Sequence, residues 1–279
     1  SRLKGLDVGD KPREVIHALS EDMLKRFADL PLLDKFDAYQ RLMDYWAGVM
    51  QDDVDLIAAE GWVEGAKPRG IVEDKAKKIK EAPDLTIGRR KYKMDLVPPG
   101  LIINRYFAAE QAAIDELAAR QEIAARELEE FVEEHTGEEG LLEDATNDNG
   151  KVTKSSVKAR SKEIGRNPEF ADEREALTRV MALIEAESGA AKAVKEARAA
   201  LDERVLARYA SLTEDEIKAL VVEDKWFASI RAAVEGEVQR LTQRLAGRVK
   251  ELDERYARPL PELEREVEAF GAKVAEHLR

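Results

Sequence analysis

Three histidines, one dense group of arginines and lysines, and a long series of carboxylates are the residues of this chain with chemistry in reach. His17, His135 and His277 fall in three separate elements, and no carboxylate stands beside two of them at ligand spacing. The three or four converging donors of a metal site are therefore not assembled by the pattern. Glutamate pairs four residues apart abound, but in a chain with 37% charged residues they read as solvated helix faces rather than as an acid and a base. No Ser, His and Asp set has the context of a nucleophile elbow, and neither G-x-G-x-x-G nor a Walker loop is present. What remains is recognition. Arg89, Arg90, Lys91 and Lys93, with Tyr92 between them, could contact nucleic-acid phosphate from a hairpin, and the same run is equally that of a solvated hairpin.

The elements that would hold such groups are long helices. Ile103, Phe107, Glu110, Ile114, Leu117, Gln121, Ala124, Leu128, Phe131 and His135 follow the 4-3-4-3 spacing of a supercoiled seam. Val180, Ile184, Glu187, Ala191, Val194, Arg198, Leu201 and Val205 repeat it. Folding the chain back as an antiparallel hairpin with Leu117 opposite Ala191 sets Glu110 against Arg198 and Gln121 against Glu187. Matched polar pairs of this kind penalise slipped alignments, so these four residues are the expected register pairs. A third seam, Phe227, Ile230, Val234, Val238, Leu241, Leu245, Val249, Leu252 and Tyr256, is expected to pair with Leu263, Val267, Phe270 and Val274 across the reversal at Pro259 and Pro261. The pairs are Val249 with Val267, Leu245 with Phe270 and Leu241 with Val274.

Composition agrees with that class. In 279 residues, 44% are apolar, only 6% aromatic, and none is cysteine, which excludes disulfides and thiolate metal ligands. No apolar run approaches a membrane span; the expectation is a soluble, cytoplasmic protein. The net charge of −12 is uneven: residues 69 to 105 hold ten basic groups against five acids, and residues 151 to 166 hold six against one. Pro12 opens a first helix that Pro31 ends, and Asp34 caps a second one carrying Phe36, Tyr39, Leu42, Met43, Trp46 and Met50. Val54 to Ala58, the pair Trp62 and Val63, and the hairpin Leu85 to Val97 are expected to form a small sheet, with a charged helical turn between Lys75 and Glu81. Thr213 and Glu216 make a capping box. The expected fold is mainly α, with long antiparallel helical hairpins, one a coiled-coil arm, a small N-terminal helical region and a minor β-hairpin or small sheet. Its segments are 1–102, then 103–210 with a polar connection over 137–170, then 211–279.

Several stretches carry a resemblance beyond class. Phe36-Asp-Ala-Tyr-Gln-Arg-Leu-Met-Asp-Tyr-Trp46, Met50-Gln-Asp-Asp-Val54, Ile87-Gly-Arg-Arg-Lys-Tyr-Lys-Met-Asp-Leu-Val-Pro-Pro99 and Arg105-Tyr-Phe-Ala-Ala-Glu-Gln111 resemble the region after the catalytic domain in the modification (M) subunit of type I restriction-modification systems. Leu212-Thr-Glu-Asp-Glu-Ile-Lys218, Asp224-Lys-Trp226 and Glu237-Val-Gln-Arg-Leu-Thr-Gln-Arg-Leu245 follow in the same order. The resemblance implies a parent enzyme that methylates adenine N6 in DNA with S-adenosylmethionine, beside a specificity subunit and a restriction subunit. The family's cofactor loop has no counterpart here. Asn167-Pro168-Glu169-Phe170 resembles its Asn-Pro-Pro-aromatic motif only superficially, since Glu169 replaces the second proline and Pro168 starts a helix. No catalytic residue and no cofactor is thus carried over to this chain, which reads as a C-terminal fragment. The resemblance further implies that Phe227, Ile230, Val234, Val238, Leu241, Leu245, Phe270 and Val274 dock on the specificity subunit. A coiled-coil structural or adaptor protein without a nucleic-acid role is the alternative.

Overall fold

A computed structural model describes residues 2–29, 33–71, 81–137, 140–257 and 259–278. The stop at Pro31 and the charged turn of Lys75, Lys77, Lys78 and Lys80 lie outside the described residues. The fold is mainly helical with one small antiparallel sheet. It divides into two compact units that do not follow the three consecutive segments expected: Ser1–Trp62 with Lys218–Arg279 form one, and Val63–Ile217 the other. The two ends of the chain share a core, an association that local periodicity does not register.

In the discontinuous unit, α1 (Pro12–Arg26) begins on a proline, whose missing N–H would have been unpaired in the first turn anyway. Helix α2 (Lys35–Tyr45) is capped by Asp34, whose Oδ1 accepts from Phe36 N at 2.7 Å. A π-helical turn, Trp46–Met50, leads into α3 (Gln51–Gly65). Residues 54–58 are thus helical, not a strand. Trp46, Met50, Val54 and Ile57 are all buried, and their 4-4-3 spacing places them on one helical face, a signal stronger than the short β-branched run. The expected break does occur at Gly61, where φ of 82° suits a residue without Cβ. Trp62 follows, donating from Nε1 to Leu6 O at 2.7 Å.

The same unit takes up the chain again near the end of α8 (Glu214–Ala219), continuing through a second π-helical stretch, Leu220–Phe227, into α9 (Ala228–Tyr256) and α10 (Leu260–His277). Lys225 Nζ lies 2.7 Å from Asp53 Oδ1, and Trp226 Nε1 donates to Asp53 Oδ2 at 2.7 Å. Asp53 and Trp226 are buried. Burial pushes the Asp53 carboxyl above the ordinary aspartate range, and Lys225 and Trp226 pull it back only in part. Tyr45 Oη donates to Lys225 O at 3.3 Å and, itself half-buried, is pushed up to about 12 by desolvation. One carboxylate of α3, with a charge and a neutral donor on its two oxygens, thus ties that helix to the second π-helical stretch.

In the continuous unit, β1 (Arg69–Gly70), β2 (Leu85–Ile87) and β3 (Arg90–Lys93) form an antiparallel sheet in the order β1-β3-β2. Helix α4 (Pro99–Tyr106) stops at Phe107, and α5 (Ala108–His135) runs out as the first limb of the arm. Helix α7 (Ala171–Tyr209) returns, passing through Gly189 without interruption. The seam positions of α5 beyond Phe107 are buried or half-buried while most positions between them face solvent, as the heptad spacing requires. At the far end the connection supplies its own core: Leu142, Ala145 and Val157 are fully buried against Leu177 and Val180. Helix α6 (Lys154–Ile164), capped by Thr153, covers it. One guanidinium, Arg160, holds Asp144, Glu163 and Glu173 at 2.9, 3.2 and 2.6 Å. At the near end Tyr209 Oη donates to Val97 O. Thr213 and Glu216 close the expected capping box, each accepting from the other's backbone N–H at 3.3 and 2.9 Å respectively.

Candidate functional site

The basic hairpin is built on a two-residue turn. Ile87 pairs with Arg90, so Gly88 and Arg89 form the tip, and Gly88 takes φ of 61°. Strand alternation then sorts the candidate contacts. Arg90 shares the face of Tyr92 and Met94, whereas Lys91 and Lys93 share the other with Thr86. Lys93 is tied to Asp84 at 2.8 Å and is half-buried. Arg89 and Arg90 are exposed and, among the described residues, carry no ion pair; Lys91 is also exposed. Other members of the two basic stretches are engaged within the unit: Arg69 by Asp95 at 2.5 Å and by Glu81, Lys154 by Glu185 at 2.9 Å, and Arg160 by its three acids.

A cleft of about 400 Å³ separates the hairpin tip from α7, lined by Thr86, Gly88, Lys195, Arg198 and Asp202 among others. Lys195 and Arg198 are exposed, so the tip and this turn of α7 present basic groups together, which the sequence reading missed. The available signal was Arg198 itself, assigned instead to the seam. Asp202 sits beside it, its carboxyl raised by burial and lowered only in part by Arg198.

The register pairs are a correction. Glu110 Oε1 meets Arg204 Nη1 at 2.7 Å, and among the described residues no ion pair joins Glu110 to Arg198. Arg204 also lies over the Phe107 ring at 4.7 Å, and Arg208 over Tyr106 at 4.3 Å. Two aromatics at the start of the arm thus meet two arginines at the end of α7, and that contact sets the near end. Glu110 is held below the ordinary carboxylate range first by a hydrogen bond from its own backbone N–H, then by Arg204. Gln121 and Glu187 are each half-buried in the seam and share no hydrogen bond among the described residues.

The apolar interface candidates divide along α9. Ile230, Val234, Val238 and Leu241 are half-buried, and Phe227, Ile230 and Val234 form one wall of an open groove facing α1 and α2. Glu237, nearly fully buried, is held low by Arg240 first, with Arg41 adding to it. Beyond residue 241 the apolar positions lie open. Leu245, Phe270 and Val274 are 58%, 65% and 58% exposed, and no residue of α10 is buried. The expected pairing of Val249 with Val267, Leu245 with Phe270 and Leu241 with Val274 is therefore not made. The two helices carry the right spacing, but the short reversal after Tyr256 leaves their stripes uncovered.

The histidines remain apart. His135 stacks on Phe131 with ring centres 4.2 Å apart and bonds Phe131 O through Nδ1 at 2.9 Å. Among the described residues no group of three His, Asp or Glu side chains is placed to hold a metal ion, and no helix is long and apolar enough to cross a membrane. No known protein family, curated protein or solved structure matches this chain.

Proposed function

We propose that this chain is a noncatalytic assembly and DNA-clamping module, equivalent to the C-terminal region of the M subunit of a type I restriction-modification methyltransferase. The observation that carries the assembly half is the open apolar stripe of α9 and α10, which has the periodicity of a helix that docks on other helices. In this reading the stripe seats on the helical spacers of a specificity subunit, the restriction subunit joins for cleavage, and S-adenosylmethionine belongs to the catalytic domain of the parent protein. The hairpin tip supports the DNA half. Its arginines, Arg89 and Arg90, face solvent and carry no ion pair among the described residues, as groups awaiting phosphate would. A chain of net −12 binds duplex poorly by itself, but charge concentrated at one tip acts within a Debye length of about 8 Å once other subunits hold the DNA there.

Replacing Arg89, Arg90, Lys91 and Lys93 with Gln in the assembled methyltransferase should weaken DNA binding alike across sequences and flatten its dependence on salt. Fluorescence anisotropy at several salt concentrations reads both. An unchanged salt slope would return the hairpin to a solvated surface.

A further inference from the structure

The open stripe also fits something the chain carries itself. Leu245, Val249, Leu252 and Tyr256 on α9 follow intervals of 4, 3 and 4, and Leu263, Val267, Phe270 and Val274 on α10 follow the same intervals. Each stripe is a template for the other, and both are uncovered in one copy. From Leu245 to Leu278, ten apolar side chains are each more than a third exposed. At roughly 80 Å² of apolar surface apiece they amount to on the order of 800 Å² per copy, the share one partner brings to a stable interface.

Charge decides between folding back and reaching out. If α10 closed on its own α9 with the apolar positions in alternating coiled-coil layers, Val267 opposite Leu252 and Phe270 opposite Val249, about one turn from the pairing expected above, the flanking positions would set Asp253 against Glu264 and Arg248 against Lys273. Only Arg255 and Glu266 would be complementary. Sliding the pairing by one heptad brings Leu263 to Val249, Val267 to Leu245 and Val274 to Val238, with Arg248 against Glu266 and no like-charged flanking pair. Within one chain that register is blocked. It sets Leu260 opposite Leu252, yet α9 stays helical to Tyr256 and α10 starts at Leu260, so α9 would have to unwind its last turn. A second copy meets no such limit.

We propose that two copies of this chain associate through α9 and α10, the α10 of each lying antiparallel on the α9 of the other in the heptad-shifted register. The arrangement is two-fold and closed, covering both stripes twice. It is independent of the restriction-modification reading and would make self-association and any other helical partner compete for one face.

Sedimentation equilibrium of the full chain tests it. The expected species is a dimer that Val267→Glu converts to monomer; this side chain is 71% exposed, so circular dichroism should stay unchanged. Arg248→Glu should weaken the dimer about tenfold, and adding Glu266→Arg should restore most of that loss. Because the chain has no cysteine, Leu252→Cys and Leu260→Cys placed in two separately tagged populations should give a mixed disulfide on oxidation. A monomer at every concentration overturns the proposal. So does a dimer indifferent to Val267→Glu, or one in which the Glu266→Arg change fails to rescue Arg248→Glu.

Discussion

The arm and the terminal helices are written in the same code and end in opposite states. Helices α5 and α7 bury their seam, with Ile114, Val194, Leu201 and Val205 all withdrawn from water. Helices α9 and α10 carry as regular a stripe and leave it open. The difference lies in what joins the two limbs. The arm's connection contributes Leu142, Ala145 and Val157 as a core of its own and locks it with Arg160, so the far end is held together by more than the seam. Between α9 and α10 the described residues, Ala257 and Pro259, are exposed and add nothing to a shared centre. Periodicity therefore specifies a face that must be covered, whereas the connection determines whether the chain itself can cover it.

The sharpest test starts at the root of α9, where the open helix is fastened. Lys225→Met should strand the Asp53 carboxylate and cost about 3–5 kcal/mol in urea unfolding at neutral pH. Its pH dependence has a definite sign. The folded-state pKa of Asp53 is raised, so between the ordinary aspartate value and that raised value the folded state holds a proton the unfolded state has lost, and stability falls as pH rises. Losing Lys225 raises the group further, so the penalty should shrink toward about pH 4. An equal penalty at both pH values would mean that Asp53 is not the group responsible.

A matched pair of truncations addresses the comparison directly. Leu201→Ala in the covered seam should cost about 2–5 kcal/mol, and Leu245→Ala in the open stripe at high dilution less than about 0.5 kcal/mol. Equal losses would show that the stripe is already covered within one chain.

The smallest effect concerns the near end of the arm. Glu110→Arg and Arg204→Glu should couple in a double-mutant cycle, while Glu110→Arg with Arg198→Glu should simply add. Because Glu110 is held low, its contribution is present above the ordinary carboxylate range and lost as pH falls through the folded value. Coupling to Arg198 instead would restore the expected register.

What the sequence made legible was helix faces and caps. The seam of α5, the cap at Asp34, the box of Thr213 and Glu216 and the sheet hairpin all follow from spacing, because each rests on neighbours within a few residues. Three features escaped for one physical reason: their partners are distant in the chain. Asp53 sat in a polar run, Gln51-Asp-Asp, and only its place on the face of Met50, Val54 and Ile57 hints at burial. Glu110 had Arg198, Arg204 and Arg208 within reach, and the nearby Phe107 and Tyr106 rings favour the latter two. The division into units could not be read because it joins the first 62 residues to the last stretch.

That division has a consequence on the ribosome. Asp53, Trp62 and the buried face of α3 emerge long before Lys225 and Trp226, with the whole of the second unit, Val63–Ile217, made in between. At a usual rate of synthesis the interval is roughly ten to thirty seconds. The continuous unit can complete its arm during that time. The helices carrying Trp46, Met50 and Ile57 meanwhile wait for Trp226 and its neighbours, which makes that segment, rather than the exposed α9 and α10, the one most in need of a chaperone.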